Sequence, residues 1–160
     1  MSQIEADAEL ARLRTVADYQ FGAGAGAALF PHGDALDVTH STGGRPRQVR
    51  AETGRVVSYG TDGRFTLGLE GGQRLTAALP APVARVVVGS ESEPFVRDGK
   101  NVFAKFVQDV DDDVRPSDEV AVVHENGDVL AVGRAELAAD AMYDFETGMA
   151  VKVRAGAGDA

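Results

Sequence analysis

The chain has no cysteine, and only Lys100, Lys105 and Lys152 among its 160 residues are lysines. Without thiols there are no disulfides, no thiolate nucleophile and no thiolate zinc ligands. The histidines, His32, His40 and His124, are scattered without metal-ligand spacing. No apolar run approaches the roughly 18 residues a membrane span needs. The N-terminus opens on Glu5, Asp7 and Glu9 where a secretory leader would carry basic residues. These gaps predict a soluble, cytoplasmic protein with no metal, no cofactor and no membrane partner.

What is abundant is negative charge. The net charge is -9 with a pI near 4.7, which at face value opposes a polyanionic partner, because phosphates are neutralised by Lys and Arg. The charge is uneven. Residues 1–79 hold 8 basic and 9 acidic side chains, and residues 80–160 hold 8 and 16. Thirteen of the sixteen basic residues are arginines, and an acidic, lysine-poor composition resembles that of proteins adapted to high salt, which predicts a haloarchaeal source. Net charge governs solubility and steering and leaves room for a local basic patch.

Along residues 4–21, Ala6, Leu10, Leu13, Ala17 and Phe21 fall at helical steps and predict an amphipathic helix. FGAGAGAALFP breaks it and leads into a short helical piece. LDVTHS, RQVRAE, GRVVSYG and RFTLGLE read as strands, with a tight turn at TDGR, and residues 70–79 as a short helix. Pro80 and Pro82 mark a boundary. Beyond it ARVVV is a strand, SEPFVRDG a short capped helix, and NVFAKFV one strand with Phe103, Lys105 and Val107 on a single face. EVAVVHENGDVLAVGRAEL reads as a hairpin about Asn126–Gly127, AADAMYDFETG as a helix and MAVKVR as a closing strand. Five or so short strands with two small helices in about 75 residues fit a small, nearly closed β-barrel.

No active-site signature stands out. GAGAG follows a helix instead of a strand and lacks the acidic residue of a dinucleotide fingerprint. Gly99-Lys100 fails as a phosphate loop, since Pro94 and Asn101 occupy the positions that need glycine and Ser/Thr. Asp111–Asp113 read as a solvated turn, and no nucleophile elbow accompanies the histidines.

The ordered succession GKNVFAKFV, RPSDEV, LAVGRAEL and GMAVKVR resembles the PUA domain, the RNA-binding module named after pseudouridine synthases and archaeosine transglycosylases. VADYQFGAGAGAALFP, GRVVS and RFTLGLEGGQRL resemble the domain that precedes PUA in archaeal tRNA-guanine transglycosylases. The resemblance implies an α+β fold: a pre-PUA domain over residues 1–79, a PUA pseudobarrel over 80–155 and a flexible tail at 156–160. It also implies binding of structured RNA, tRNA foremost. Carried over, Gly99 lets backbone approach phosphate, Arg97, Lys100, Asn101 and Lys105 line that loop and the strand after it, and Lys152, Arg154 and Arg134 join from the far side. Ser117 stands where the family writes glycine in RPGDEV, which leaves the turn type open. The transglycosylases' catalytic barrel and zinc-binding cysteines have no counterpart here. The reading is therefore a non-catalytic, tRNA-binding accessory factor or a detached module that works with a tRNA-modifying enzyme. The alternative is a protein-interaction adaptor that keeps the fold without RNA.

Overall fold

A computed structural model describes residues 2–159. Helix α1 (Gln3–Phe21) starts at Ser2, whose hydroxyl accepts the Glu5 amide at 3.1 Å, satisfying one donor that a helix start leaves free. Leu13 and Ala17 are buried, with Leu10 and Phe21 packed beside them, so the helical spacing delivers one face to the core. That face also buries Glu9. His40 offsets the cost, its Nε2 lying 2.9 Å from both carboxylate oxygens. The Asp18 carboxylate accepts the Gly26 amide at 2.7 Å and fixes α2 (Ala25–Leu29).

Strands β1 (Asp37–His40), β2 (Pro46–Ala51), β3 (Gly54–Tyr59) and β4 (Phe65–Leu67) form an antiparallel sheet in sequence order. Val49, Val57, Phe65 and Leu67 point to the core, while the registered row Gln48, Ser58 and Thr66 points away from it. Helix α3 (Leu69–Ala78) packs against this sheet on one side and against the second half of the chain on the other.

The second half contains β5 (Arg85–Val88), α4 (Glu93–Arg97), β6 (Val102–Phe103), β7 (Val107–Val110), β8 (Glu119–His124), β9 (Val129–Ala135), α5 (Ala139–Asp144) and β10 (Met149–Gly156). Its sheet runs β6-β10-β9-β8-β5-β7. β6 and β7 are consecutive in the chain yet sit at opposite edges, so the sheet curls into a nearly closed barrel around Val86, Val88, Val110, Val120, Val122 and Leu130. This closure breaks the single strand expected over NVFAKFV. The chain leaves the β10 edge after Phe103, turns through a 3-10 turn at Ala104–Phe106 and joins the β5 edge as β7. Ala104 is buried and its amide donates to Gly148 O at 2.9 Å, so Lys105 sits on the turn and does not share a strand face with Phe103.

Among the described residues no strand of one sheet pairs with the other, but the halves share packing. All six residues of β8 are buried, Val120 and Val122 toward the barrel and Ala121 and Val123 on the outer side, where α3 lies. A Cβ on Gly72 would lie 2.6 Å from Val132; only glycine lets α3 come this close. The tail expected from residue 156 is instead hydrogen-bonded. β10 extends to Gly156, Ala157 N donates to Leu130 O at 2.8 Å and Gly158 N to Arg97 O at 2.9 Å. A carbonyl at the start of β9 and one at the end of α4 thereby gain donors.

The turn before β8 keeps its left-handed residue even though glycine is absent: Ser117 has φ +77° and its amide donates to Ala135 O at 2.8 Å. The ladder bond outweighs the steric cost of a side chain in this region. Ser117→Gly is expected to stabilise the protein by about 0.5–1 kcal/mol, the steric relief exceeding glycine's greater unfolded-state entropy. Urea denaturation at unchanged m-value checks this; equal or lower stability would show that Ser117 carries no strain.

Candidate nucleic-acid interface

The candidate face is organised by β10. β6 pairs with it at one edge, Phe103 opposite Met149 and Val102 opposite Val151. Beyond Val102 the ladder is continued by a side chain: Asn101 Oδ1 accepts the Val153 amide at 2.9 Å, next to the irregularity in β10 between Val153 and Ala155. Asn101 is thus a structural clip on the strand that carries Lys152. Gly99 has φ +91°, is exposed, and has nothing within 4 Å of where a Cβ would stand. The Lys100 amide donates back to Phe95 O at 2.9 Å, closing the turn after α4.

On the other edge of β10, Lys152 stands directly across from Arg134 of β9, and both are exposed. Thr66, Glu119, Arg134, Lys152, Val153 and Arg154 line a shallow depression of about 400 Å³. Lys105 lies at the far end of the β6 edge from Lys100, beside Gly148.

The eight residues expected at an interface separate into two groups. Lys100, Lys105 and Lys152 are exposed, and no ion pair within 4 Å involves them among the described residues. Gly99 is open beside Lys100. Arg134 is exposed but meets Glu136 at 3.0 Å. The others are engaged in the fold. Arg97 bonds Glu93 at 2.9 Å and Gly158 O at 3.3 Å, Asn101 holds β10, and Arg154 is neutralised.

Arg154 is held by Glu119, which is only 7% exposed. Its Nη1 lies 3.2 Å from Glu119 Oε2, and its Nη2 bonds Glu119 Oε1 and, at 2.6 Å, Leu67 O. Glu119 Oε1 in turn accepts the Leu67 amide at 2.8 Å. The pair therefore satisfies both backbone groups on the free edge of β4. Gln20 does the same two residues earlier, accepting from Phe65 N at 2.7 Å and donating to Phe65 O at 2.8 Å.

Sequence reasoning missed the exposed aromatics. Phe95 on α4 is 62% exposed and Phe103 on β6 is 48% exposed, flanking the Gly99–Lys100 turn in sequence. A five-residue helix and a two-residue strand carry too little periodicity to separate an outward phenylalanine from a core one.

The closest approach to a nucleophile and base is Ser90 Oγ, 2.8 Å from His124 Nε2. His124 Nδ1 accepts the Asn126 amide at 3.0 Å, so in neutral imidazole the proton sits on Nε2 and points at Ser90. That tautomer cannot take the serine proton. Among the described residues no group of three His, Asp or Glu could hold a metal ion, and no helix is long and apolar enough to cross a membrane.

Comparison with known proteins agrees with this architecture. Residues 84–157 match the PUA domain, and residues 11–82 match the family described as the patch-forming domain C2 of tRNA-guanine transglycosylase. The chain joins a C2 domain to a PUA domain. Similar curated proteins include tRNA-guanine(15) transglycosylases. That of Thermococcus kodakarensis is 48% identical over 142 residues, 88% of this chain and 24% of the relative. That of Methanothermobacter thermautotrophicus is 42% identical over 158 residues, 98% of this chain and 24% of the relative. The chain thus spans about a quarter of the length of these curated relatives. Similar solved structures include a hypothetical protein from Pyrococcus horikoshii (TM-score 0.68, 22% identity, covering 94% of this chain and 90% of that one). A conserved PUA domain protein from Thermoplasma acidophilum is also similar (TM-score 0.63, 23% identity, 99% and 93%). At these identities the likeness concerns the fold.

In C2–PUA terms, the Glu119–Arg154 pair belongs to the PUA domain and Leu67 to the C2 domain, so it fastens one to the other. Arg154→Ala is expected to cost about 3 kcal/mol, because it leaves a buried carboxylate without its cation. Lys152→Ala, one side chain away on the exposed face, should change stability by less than about 0.5 kcal/mol. Thermal and urea unfolding of the two variants checks the contrast; equal effects would mean that Arg154 is no anchor.

Proposed function

We propose that this C2–PUA chain binds structured RNA, with tRNA as its ligand, and does no chemistry of its own. The observation that carries the reading is the state of the lysines. In a chain of net charge -9, nine of the thirteen arginines bond carboxylates, carbonyls or a hydroxyl within the fold, while Arg12, Arg47, Arg50 and Arg115 are exposed with no side-chain bond among those described. Lys100 and Lys152 remain exposed and unpaired beside β10, with Lys105 at the far end of the β6 edge. Unpaired ammonium groups attract a polyanion at that place, while the acidic residues of the body repel it.

The same face offers what RNA phosphates require: an open glycine turn where backbone can approach, and separated point charges along a strand. A-form RNA is met through its shape and backbone, which suits a shallow surface better than a deep pocket. Phe95 and Phe103 beside the turn present rings on which unpaired bases can stack. The curated relatives, named for a tRNA base exchange, support tRNA over other RNAs. The chemistry would then come from another polypeptide or another segment, a tRNA-modifying enzyme that uses this module to hold its substrate.

The test is fluorescence-anisotropy titration with a tRNA transcript at several salt concentrations, including molar salt. Lys100→Ala/Lys152→Ala should weaken binding across RNA sequences and lower the slope of log affinity against log salt by about two, one per lost phosphate contact. Gly99→Glu is a poorer probe, because at φ +91° any L-residue is strained and a loss would mix folding with binding. If the folded double variant binds as wild type with the same slope, the face does not hold RNA and the protein-adaptor reading takes its place.

A further inference from the structure

Two pairs of like charges stand directly opposite one another in this fold. On the PUA side Arg134 faces Lys152 across β9 and β10, and on the C2 side Arg50 faces Arg55 across β2 and β3. Directly opposed like charges destabilise a sheet, so one such pair is already a cost. Two of them on adjoining surfaces form a pattern. Arg50 and Arg55 lie one registered step beyond the core pair Val49–Val57, across a bulge, and with Gln48, Ser58 and Thr66 they belong to the sheet face turned away from the helices.

The surfaces meet at one atom. Arg55 Nη2 lies 3.4 Å from Leu67 O, the carbonyl that Arg154 Nη2 also binds. Thr66, in the outward row of the C2 sheet, lines the same depression as Arg134, Lys152 and Arg154. Five cations thus follow one another across the junction. Two carboxylates, Glu119 and Glu136, make ion pairs with them. Asp37 stands across from Arg50 on β1 and makes no ion pair with it. The Arg55 guanidinium is held below its ordinary value by burial and then by Arg154, with Glu119 acting the other way and Arg50 adding to the lowering.

We infer that the polyanion-binding surface does not end at the PUA domain but crosses the junction onto the outer face of the C2 sheet, where Arg50 and Arg55 take the phosphate backbone of the same RNA. This rests on the RNA-binding reading above and extends it. At about 4.8 Å per strand the C2 part of the track, from β4 to β2, adds on the order of 10 Å to the PUA part, a length that fits a continuous backbone and not a single phosphate group. The junction must then be rigid, since cations on two domains can follow one backbone only at a fixed spacing. The Glu119–Arg154 pair supplies that rigidity.

Arg50 is the residue to change, because it is exposed and makes no side-chain hydrogen bond among those described, whereas Arg55 and Arg154 are tied into the fold. Arg50→Glu is compared with Arg12→Glu, which alters net charge equally but sits exposed on α1, on the helical side of the C2 sheet. Arg50→Gln serves if the reversal impairs folding. Binding of a tRNA transcript is read by anisotropy over a salt series, beside wild type and Lys100→Ala/Lys152→Ala. The expected result is about tenfold weaker binding and a shallower salt slope for Arg50→Glu, about one unit of slope lost for Arg50→Gln, and little change for Arg12→Glu. If wild type binds, the lysine variant weakens and Arg50→Glu matches Arg12→Glu, the C2 track is refuted while the PUA interface stands. If wild type does not bind tRNA, the RNA reading itself falls and the track falls with it.

Discussion

The buried carboxylate of Glu119 is the constraint on which the arrangement depends. A charge that far from water must be paired and hydrogen-bonded, and Glu119 meets this need through Arg154 of its own barrel and the Leu67 amide of the neighbouring sheet. Because Arg154 also binds Leu67 O, the two side chains together fill both positions that a fifth strand would occupy beside β4. An exposed strand edge is an invitation to pair with another chain. Here Gln20 from one domain and the Glu119–Arg154 pair from the other close it, and in doing so they fix the angle between domains.

That solution determines which cations are free. Arg154 and Arg55 point at a backbone carbonyl, Arg97 holds the terminal segment against α4 through Gly158, and Arg45 lies over the Tyr59 ring while binding the Tyr59 and Gly60 carbonyls. The planar fork of arginine suits such bidentate work, whereas a lysine ammonium is a hydrated point charge that stays mobile at the surface. The division of labour makes the three lysines a better guide to a ligand than the nine arginines bound within the fold.

The barrel adds a second constraint. Closing six short strands requires the chain to pass from one edge of the sheet to the other within the three residues Ala104–Phe106. The turn lifts Lys105 away from the strand face and separates it from Lys100 by the length of β6. Charges that look adjacent in GKNVFAK therefore mark the two ends of an edge, and a ligand that touches both must run along it.

The sequence by itself determined the element order outside NVFAKFV, the amphipathic face of α1, the turns at TDGR and Asn126–Gly127, and the resemblance to the C2 and PUA domains. These depend on local conformational preference and on periodicities that repeat within a few residues. It also marked the region of Gly99, Lys100 and Lys152, because scarcity made the lysines conspicuous. Only the tertiary structure decided that NVFAKFV is broken, that residues 156–158 are bonded, that Arg97, Asn101 and Arg154 serve the fold, and that Phe95 and Phe103 face outward. Each of those outcomes turns on a partner distant in the chain, such as Gly148 for Ala104, Val153 for Asn101 or Leu67 for Arg154. No window of local sequence contains the partner, so the pairing of a charge or the burial of a ring is settled where the chain folds back on itself.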